Sequence, residues 1–242
     1  YPMGKKDVTS YVIPEGVTEI GWDAFSCCYY LTSITIPEGV TYIGESAFTV
    51  CSSLTSITIP EGVTWIGSRA FEDCSSLTSI TIPENVTWIA SSAFSGCSSL
   101  TSITIPEGVI SIGEWAFRDC SSLTSITSMN ATPPSIGNSY TFKGVDKSIP
   151  VYVPKQSVEA YKSAEYWEEF TNILGIDDVT PILDVVADSV SIRLIGNSLI
   201  VEGAESYAVY ALSGQYLGKV ESLERGVYIV VADGVSKRIV VK

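Results

Sequence analysis

Histidine is absent from this chain of 242 residues. The commonest general base and the commonest metal ligand are therefore both missing. Serine–histidine and cysteine–histidine nucleophiles are ruled out within the chain, and any catalysis would fall to carboxylates, lysines or tyrosines. What remains is six cysteines, 27 acids and five tryptophans. Their spacing is informative. Cys28, Cys51, Cys74, Cys97 and Cys120 recur every 23 residues, and so do Glu15, Glu38, Glu61, Glu84 and Glu107. A third series, the variable position of "VTxIG", runs Glu19, Tyr42, Trp65, Trp88, Ser111.

Equal spacing lays each series out as a row instead of gathering it into a cluster. For the cysteines that argues against zinc, which wants C-x₂₋₄-C pairs. Parallel side chains on turns about 4.8 Å apart also hold their Cβ atoms farther apart than the ~3.8 Å of a disulfide. The expectation is buried thiols that pack as small hydrophobes; a strained vicinal disulfide between Cys27 and Cys28 is the alternative. For the glutamates, one carboxylate per step of about 5 Å is sparse beside the six to eight oxygens at about 2.3–2.6 Å that calcium needs. Neighbours at about 5 Å in water repel by roughly 0.8 kcal/mol, which a turn tolerates. The row reads as a solvated acidic edge, with calcium as the competing reading. No metal and no cofactor is expected, and an enzyme would need acids converging in a cleft.

The aromatic series is the candidate binding site. Val63 and Ile66 flank Trp65 and should face inward, so Tyr42, Trp65 and Trp88 should face outward as a stripe about 10 Å long. Exposed aromatics in a row anchor protein partners or stack on sugar rings. The competing reading is that these rings merely cover the molecule. Trp22 and Trp115 occupy other variable positions and do not extend the stripe.

The rows require a repeat that positions them. Pro14, Pro37, Pro60, Pro83 and Pro106 share the 23-residue period, as do Phe25, Phe48, Phe71, Phe94 and Phe117. Self-similarity of this kind signifies a solenoid. In "LTSITI", Ile57 and Ile59 point one way and Ser56 and Thr58 the other, the period-2 signature of a strand rich in β-branched residues. Pro60 ends the strand and Glu61-Gly62 turns the chain. Val63, Ile66, Ala70 and Phe71 return across the core, whose apolar face only stacked neighbours can bury. The rows Ser33, Thr35, Ser56, Thr58, Ser79, Thr81, Ser102 and Thr104 leave the strand surface uniform and poor in hot-spot residue types.

L-x-x-I-x-I within a period of 20–29 residues is the leucine-rich-repeat signature. The wording "IPEGVTxIGxxAFxxCSSLTS", over residues 8 to about 128, closely resembles the bacterial surface-antigen (BspA-like) leucine-rich repeats. That resemblance implies a curved right-handed solenoid with a parallel sheet on its concave face. It further implies a secreted or cell-surface, non-enzymatic protein that binds or adheres to host or microbial proteins, an extracellular-matrix or mucus component among them. A carbohydrate-binding module built on the aromatic stripe is the alternative.

The array is assigned to residues 1–128. It opens within a unit, at Val8, and Lys5 and Lys6 are expected to guard that edge. Residues 129–177 read as a degenerate unit around Phe142 and Gly144, followed by a closing cap. There Val158, Tyr161, Trp167 and Phe170 are predicted to share one helical face, with Ser157 as N-cap. Residues 178–242 alternate apolar and polar in short runs, with Gly196-Asn197 and Asp233-Gly234 as hairpin turns. They predict a small antiparallel β-sandwich. "VYALSGQYLGKV" and the final "GVYIVVADGVSKRIVVK" resemble C-terminal sorting or anchoring domains of secreted Bacteroidetes proteins; a related accessory β-domain with no sorting role is the alternative. That resemblance implies export and a signal peptide already removed. Asn85-Val86-Thr87 and Asp188-Ser189-Val190 are weak glycosylation patterns.

Charge and hydropathy narrow the partners. Fourteen basic against 27 acidic residues leave a net −13. Between residues 11 and 125 twelve acids face only Arg69 and Arg118, a net −10. This balance disfavours nucleic acid as a partner, and docking on anionic lipid with it. No apolar run reaches the roughly 18 residues of a membrane helix.

Overall fold

The computed structural model describes residues 8–176 and, beyond them, the backbone of six strands within 191–241. Two compact units are present, residues 1–178 and 179–242.

The first unit is a parallel β-solenoid of leucine-rich repeats. The predicted strands form one parallel series: Ser10–Val12, Ser33–Thr35, Ser56–Ile57, Ser79–Ile80, Ser102–Ile105, Ser125–Ser128 and Val151–Val153, closed by Ile173–Gly175. Pairing is in register, with Ser10 opposite Ser33, Ser56 opposite Ser79 and Ser102 opposite Ser125. Inside and outside alternate as expected, for Ile57 and Ile59 are buried while Ser56 and Thr58 are exposed.

Each rung also carries a second, two-residue strand that the sequence reading missed. Glu19–Ile20, Tyr42–Ile43 and Trp65–Ile66 pair in parallel, and Trp88–Ile89, Ser111–Ile112 and Ser135–Ile136 do the same. Two residues are too few to show period-2 alternation, but they suffice to fix one side chain out and one in.

The core is a column of rings. Phe25, Phe48, Phe71, Phe94, Phe117 and Phe142 stack face to face with centroids 5.2–5.6 Å apart and planes within 9° of parallel. Each buried cysteine closes a gap beside it. The thiols of Cys51, Cys74, Cys97 and Cys120 donate to the carbonyls of Phe25, Phe48, Phe71 and Phe94 at 3.1–3.2 Å. A threonine ladder works in the same way on the outside. Thr32, Thr55, Thr78, Thr101 and Thr124 each donate Oγ1 to the carbonyl of the equivalent threonine one rung back, beginning with Thr9.

The turn around each phenylalanine from Phe25 to Phe117 needs left-handed backbone twice, and that around Phe142 once. Two residues before the ring, Asp23, Ser46, Arg69, Ser92 and Trp115 have φ of 53–58°. Two residues after it, Cys27, Val50, Asp73, Gly96, Asp119 and Gly144 lie between 56° and 84°. Val50 is the misfit, because a β-branched side chain is strained at its φ of 58°. Val50→Gly is expected to raise stability by about 0.5–1 kcal/mol, relief of strain outweighing the added chain entropy. The reverse change in the same row, Gly96→Val, should lower it, since a new Cβ there would also run into the Asp73 carboxylate. Urea midpoints that move together, or opposite to these directions, would refute the assignment.

Closure at the far end departs from expectation. Ser157 stands at the N-cap position, but its hydroxyl donates to the Ala131 carbonyl at 2.7 Å and makes no capping bond. The helix covers only Val158–Lys162, so Trp167 and Phe170 lie beyond it. Ser163 Oγ bonds back to the Glu159 carbonyl at 2.7 Å, and Tyr166 turns left-handed at φ 65°. What gathers these apolar residues is the end of the ring column instead of a helical face. Trp167 and Phe170 pack on Phe142 at 5.6 and 5.3 Å, and Tyr161 meets Trp167 edge-on at 5.1 Å.

In the second unit, Ser191–Ile195 pairs antiparallel with Ser198–Glu202. Tyr207–Ala211, Tyr216–Gly218, Gly226–Ala232 and Val235–Val241 form a four-stranded antiparallel sheet. Antiparallel strands are thus present where alternation placed them. The turns at Gly196-Asn197 and Asp233-Gly234, the pattern at Asp188-Ser189-Val190, and Lys5 and Lys6 lie outside the described residues.

Candidate functional site

The short second strand determines where the aromatic series points. Trp65 pairs with Tyr42 on one side, and Trp88 occupies the equivalent place one rung further on. Ile43, Ile66 and Ile89 follow and are buried, which turns the preceding ring away from the core. Tyr42 is exposed, and Trp65 and Trp88 are half-buried. The three residues do come together. Tyr42 and Trp65 stack with planes 2° apart and centroids at 6.5 Å; Trp65 and Trp88 meet edge to face at 5.2 Å. Each ring therefore has another ring of the stripe as a neighbour, and exposure falls from Tyr42 to the two tryptophans.

The threonines beside the stripe are tied down. Thr41 and Thr64 each donate Oγ1 one rung back, to Thr18 and Thr41, at 3.4 and 3.3 Å. The platform beneath the stripe is rigid, since every rung is bonded to the next by both backbone and side chain.

The other rows do not converge. Glu15, Glu38, Glu61, Glu84 and Glu107 are exposed in a line. Partial loss of water, and then the neighbouring Glu61 and Glu107 carboxylates, push the Glu84 carboxyl above the ordinary range. Among the described residues no three thiols and carboxylates meet as metal ligands would. These residues include all six cysteines, and none forms a disulfide. Burial raises the thiols of Cys51 and Cys120 to about 12, and those of Cys74 and Cys97 well above their usual range. Such thiols remain protonated and unreactive at neutral pH. Asn85, in the sequon, donates to the Glu61 carbonyl at 3.1 Å and belongs to the turn ladder.

Trp22 is 74% exposed. Trp115 is also exposed, and here the sequence reading stopped too early. Aligning the degenerate unit on Phe142 places Tyr140 directly after Trp115 and Lys143 directly after Arg118. The inserted residues before Phe142 had hidden that register.

The family model described as "BspA type Leucine rich repeat region" matches residues 3–124 and 65–177, with six copies. Among solved structures, a leucine-rich repeat protein of T. pallidum is 27% identical, over 69% of this chain and 71% of its own, with a TM-score of 0.49. One from Bacteroides ovatus is 26% identical over 69% of this chain and 55% of its own, TM-score 0.43. One from Eubacterium ventriosum is 27% identical over 57% and 43%, TM-score 0.50. The chain thus spans about half the length of the latter two. No curated protein matches it.

Proposed function

Because the chain belongs to the BspA-type leucine-rich repeat family, with its model matched over residues 3–177, we propose that it is a non-enzymatic, surface-associated repeat protein. Its solenoid presents Tyr42, Trp65 and Trp88 to a protein partner. The observation that carries this reading is the stripe itself: three contiguous rings on a parallel sheet, one exposed and two half-buried. Aromatic anchors of this kind dominate protein–protein hot spots. The stacking between rings favours a protein over a glycan, because a sugar needs an open ring face and Tyr42 and Trp65 turn theirs toward each other. An aromatic stripe for carbohydrate is the second reading, supported by the outer faces of Tyr42 and Trp88.

Family membership supports a place at the cell surface, and among the described residues no helix is long and apolar enough to cross a membrane. The array, its cap and the last domain are proposed to divide at 128 and 177. The antiparallel strands of the last domain are proposed to close as a sandwich with a sorting role. The partner class is a host matrix or mucus component. The test is surface plasmon resonance of the full chain against purified matrix proteins and mucin. Saturable binding to at least one is expected, weakened about tenfold or more by Trp65→Ala with Trp88→Ala. Unchanged binding in that double variant, or binding abolished by deglycosylating the prey, would overturn the protein-anchor reading.

A further inference from the structure

A second exposed feature lies at the far end of the array. The turns Trp115-Ala116-Phe117-Arg118 and Tyr140-Thr141-Phe142-Lys143 occupy equivalent places and stack from Phe117 onward, although Trp115 is left-handed at φ 58° and Tyr140 is not. Arg118 N–H donates to the Trp115 carbonyl at 3.0 Å, and Lys143 N–H to the Tyr140 carbonyl at 3.1 Å. Phe117 N–H and Asp119 N–H donate across to Thr141 and Lys143 at 2.9 and 2.7 Å, which locks the two turns one step apart. Their core rings, Phe117 and Phe142, are 5.3 Å apart. The step therefore brings Arg118 and Lys143 onto adjacent turns, and Trp115 and Tyr140 with them. The four earlier turns hold Asp23 and Ser26, Ser46 and Thr49, Arg69 and Glu72, Ser92 and Ser95 at these places, and none joins an aromatic to a base.

All four side chains reach solvent: Trp115 is 37% and Tyr140 49% exposed, and Arg118 and Lys143 are exposed. Lys143 Nζ lies 5.2 Å from the Tyr140 ring centre, and the Asn138 side-chain oxygen accepts the Tyr140 N–H at 2.9 Å, holding that turn. Asp119 engages Arg118 through Nε at 3.1 Å, which leaves the terminal guanidinium nitrogens for a carboxylate. In an array where Arg118 is one of two cations against twelve acids, this corner sets Arg118 and Lys143 against Glu114 and Asp119 and so relieves the local excess of negative charge.

We propose that this corner binds an acidic sugar unit, with the pyranose ring against Trp115 and Tyr140 and its carboxylate on Arg118 and Lys143. Aromatic rings take the apolar face of a sugar, and charge-assisted hydrogen bonds hold the acid. The ligand must be narrow. Glu114 and Asp119 border the patch, and the Arg118 charge already acts on Glu72. An acidic protein large enough for a stable interface would run onto those carboxylates, whereas one sugar unit does not extend past the two turns. The site shares no residue with the Tyr42–Trp88 stripe.

Calorimetric titration of the full chain with 3′-sialyllactose, trigalacturonate, lactose and a pentaglutamate peptide tests it. At least one acidic sugar should bind about tenfold or more tightly than lactose, and weaken with added salt. Trp115→Asn, which suits the left-handed backbone, and the pair Arg118→Gln with Lys143→Gln should each lose about tenfold or more. Trp65→Ala with Trp88→Ala should change nothing, which separates this outcome from that of the matrix-binding test. Binding by neither acidic sugar, equal binding of lactose, a preference for pentaglutamate, or unchanged binding in both corner variants would overturn the proposal.

Discussion

Phe71→Ala is expected to lower stability by about 3–5 kcal/mol, while Thr58→Ala on the same rung stays within about 0.5 kcal/mol. Phe71 is wholly buried, stacked on Phe48 at 5.2 Å and on Phe94 at 5.6 Å, and its carbonyl accepts the Cys97 thiol. Truncation removes a large apolar side chain and both stacking contacts. It also leaves a void that the neighbouring rungs, bonded by ladders on both sheets, cannot collapse to fill. In a solenoid, stability is close to a sum of rungs and the interfaces between them. Emptying one rung therefore weakens two interfaces at once. The loss should appear as a lower urea midpoint and a broader transition as the parts on either side uncouple. Thr58 is exposed, and its loss leaves the Thr55–Thr78 ladder intact. Comparable shifts for the two variants would contradict the inside and outside assignment.

That contrast was legible from the sequence because the repeat supplies its own alignment. Five copies at a fixed period show which positions change, and Ile59, Val63, Ile66 and Phe71 do not, while Ile57 gives way only to Tyr11. The stripe was legible for the opposite reason: Tyr42, Trp65 and Trp88 vary in type yet stay aromatic. Four things were not legible. The second strand is two residues long, below any periodicity. The thiol–carbonyl and threonine ladders link residues 23–26 apart, and nothing local records such a bond. In the cap, Val158, Tyr161, Trp167 and Phe170 have helix-compatible spacing, but the exposed end of the ring column offers Trp167 and Phe170 a better burial than a helix face would. The Trp115 corner was obscured by the insertion before Phe142, although that phenylalanine was in view.

Asn130→Leu should be the other severe change, at about 2–5 kcal/mol, despite replacing a polar side chain with an apolar one of similar size. Asn130 is buried where the regular repeat ends. Its Nδ2 donates to the Glu107 carbonyl at 2.7 Å and to the Val109 carbonyl at 2.6 Å, and its Oδ1 accepts the Ser128 hydroxyl at 2.9 Å. Ser128 Oγ also lies 2.7 Å from the Tyr161 hydroxyl, which in turn donates to the Asn130 carbonyl at 3.2 Å. The Asn130 side chain thus ties the last regular turn to Ser128, and through Ser128 to Tyr161 of the cap helix. Leucine would leave two carbonyls deprived of these bonds in a dry site, at about 1–3 kcal/mol each, and would break a network whose members strengthen one another. Tyr161→Phe removes less, since Ser128 keeps its bond to Asn130, and about 1–2 kcal/mol is expected. The damage should be local. Hydrogen exchange should accelerate first in residues 125–176 and only later in the rungs around Phe48. Equal protection in the variant and the parent, or a larger loss for Tyr161→Phe than for Asn130→Leu, would show that the apolar contacts of Trp167 and Phe170 close the solenoid without this network.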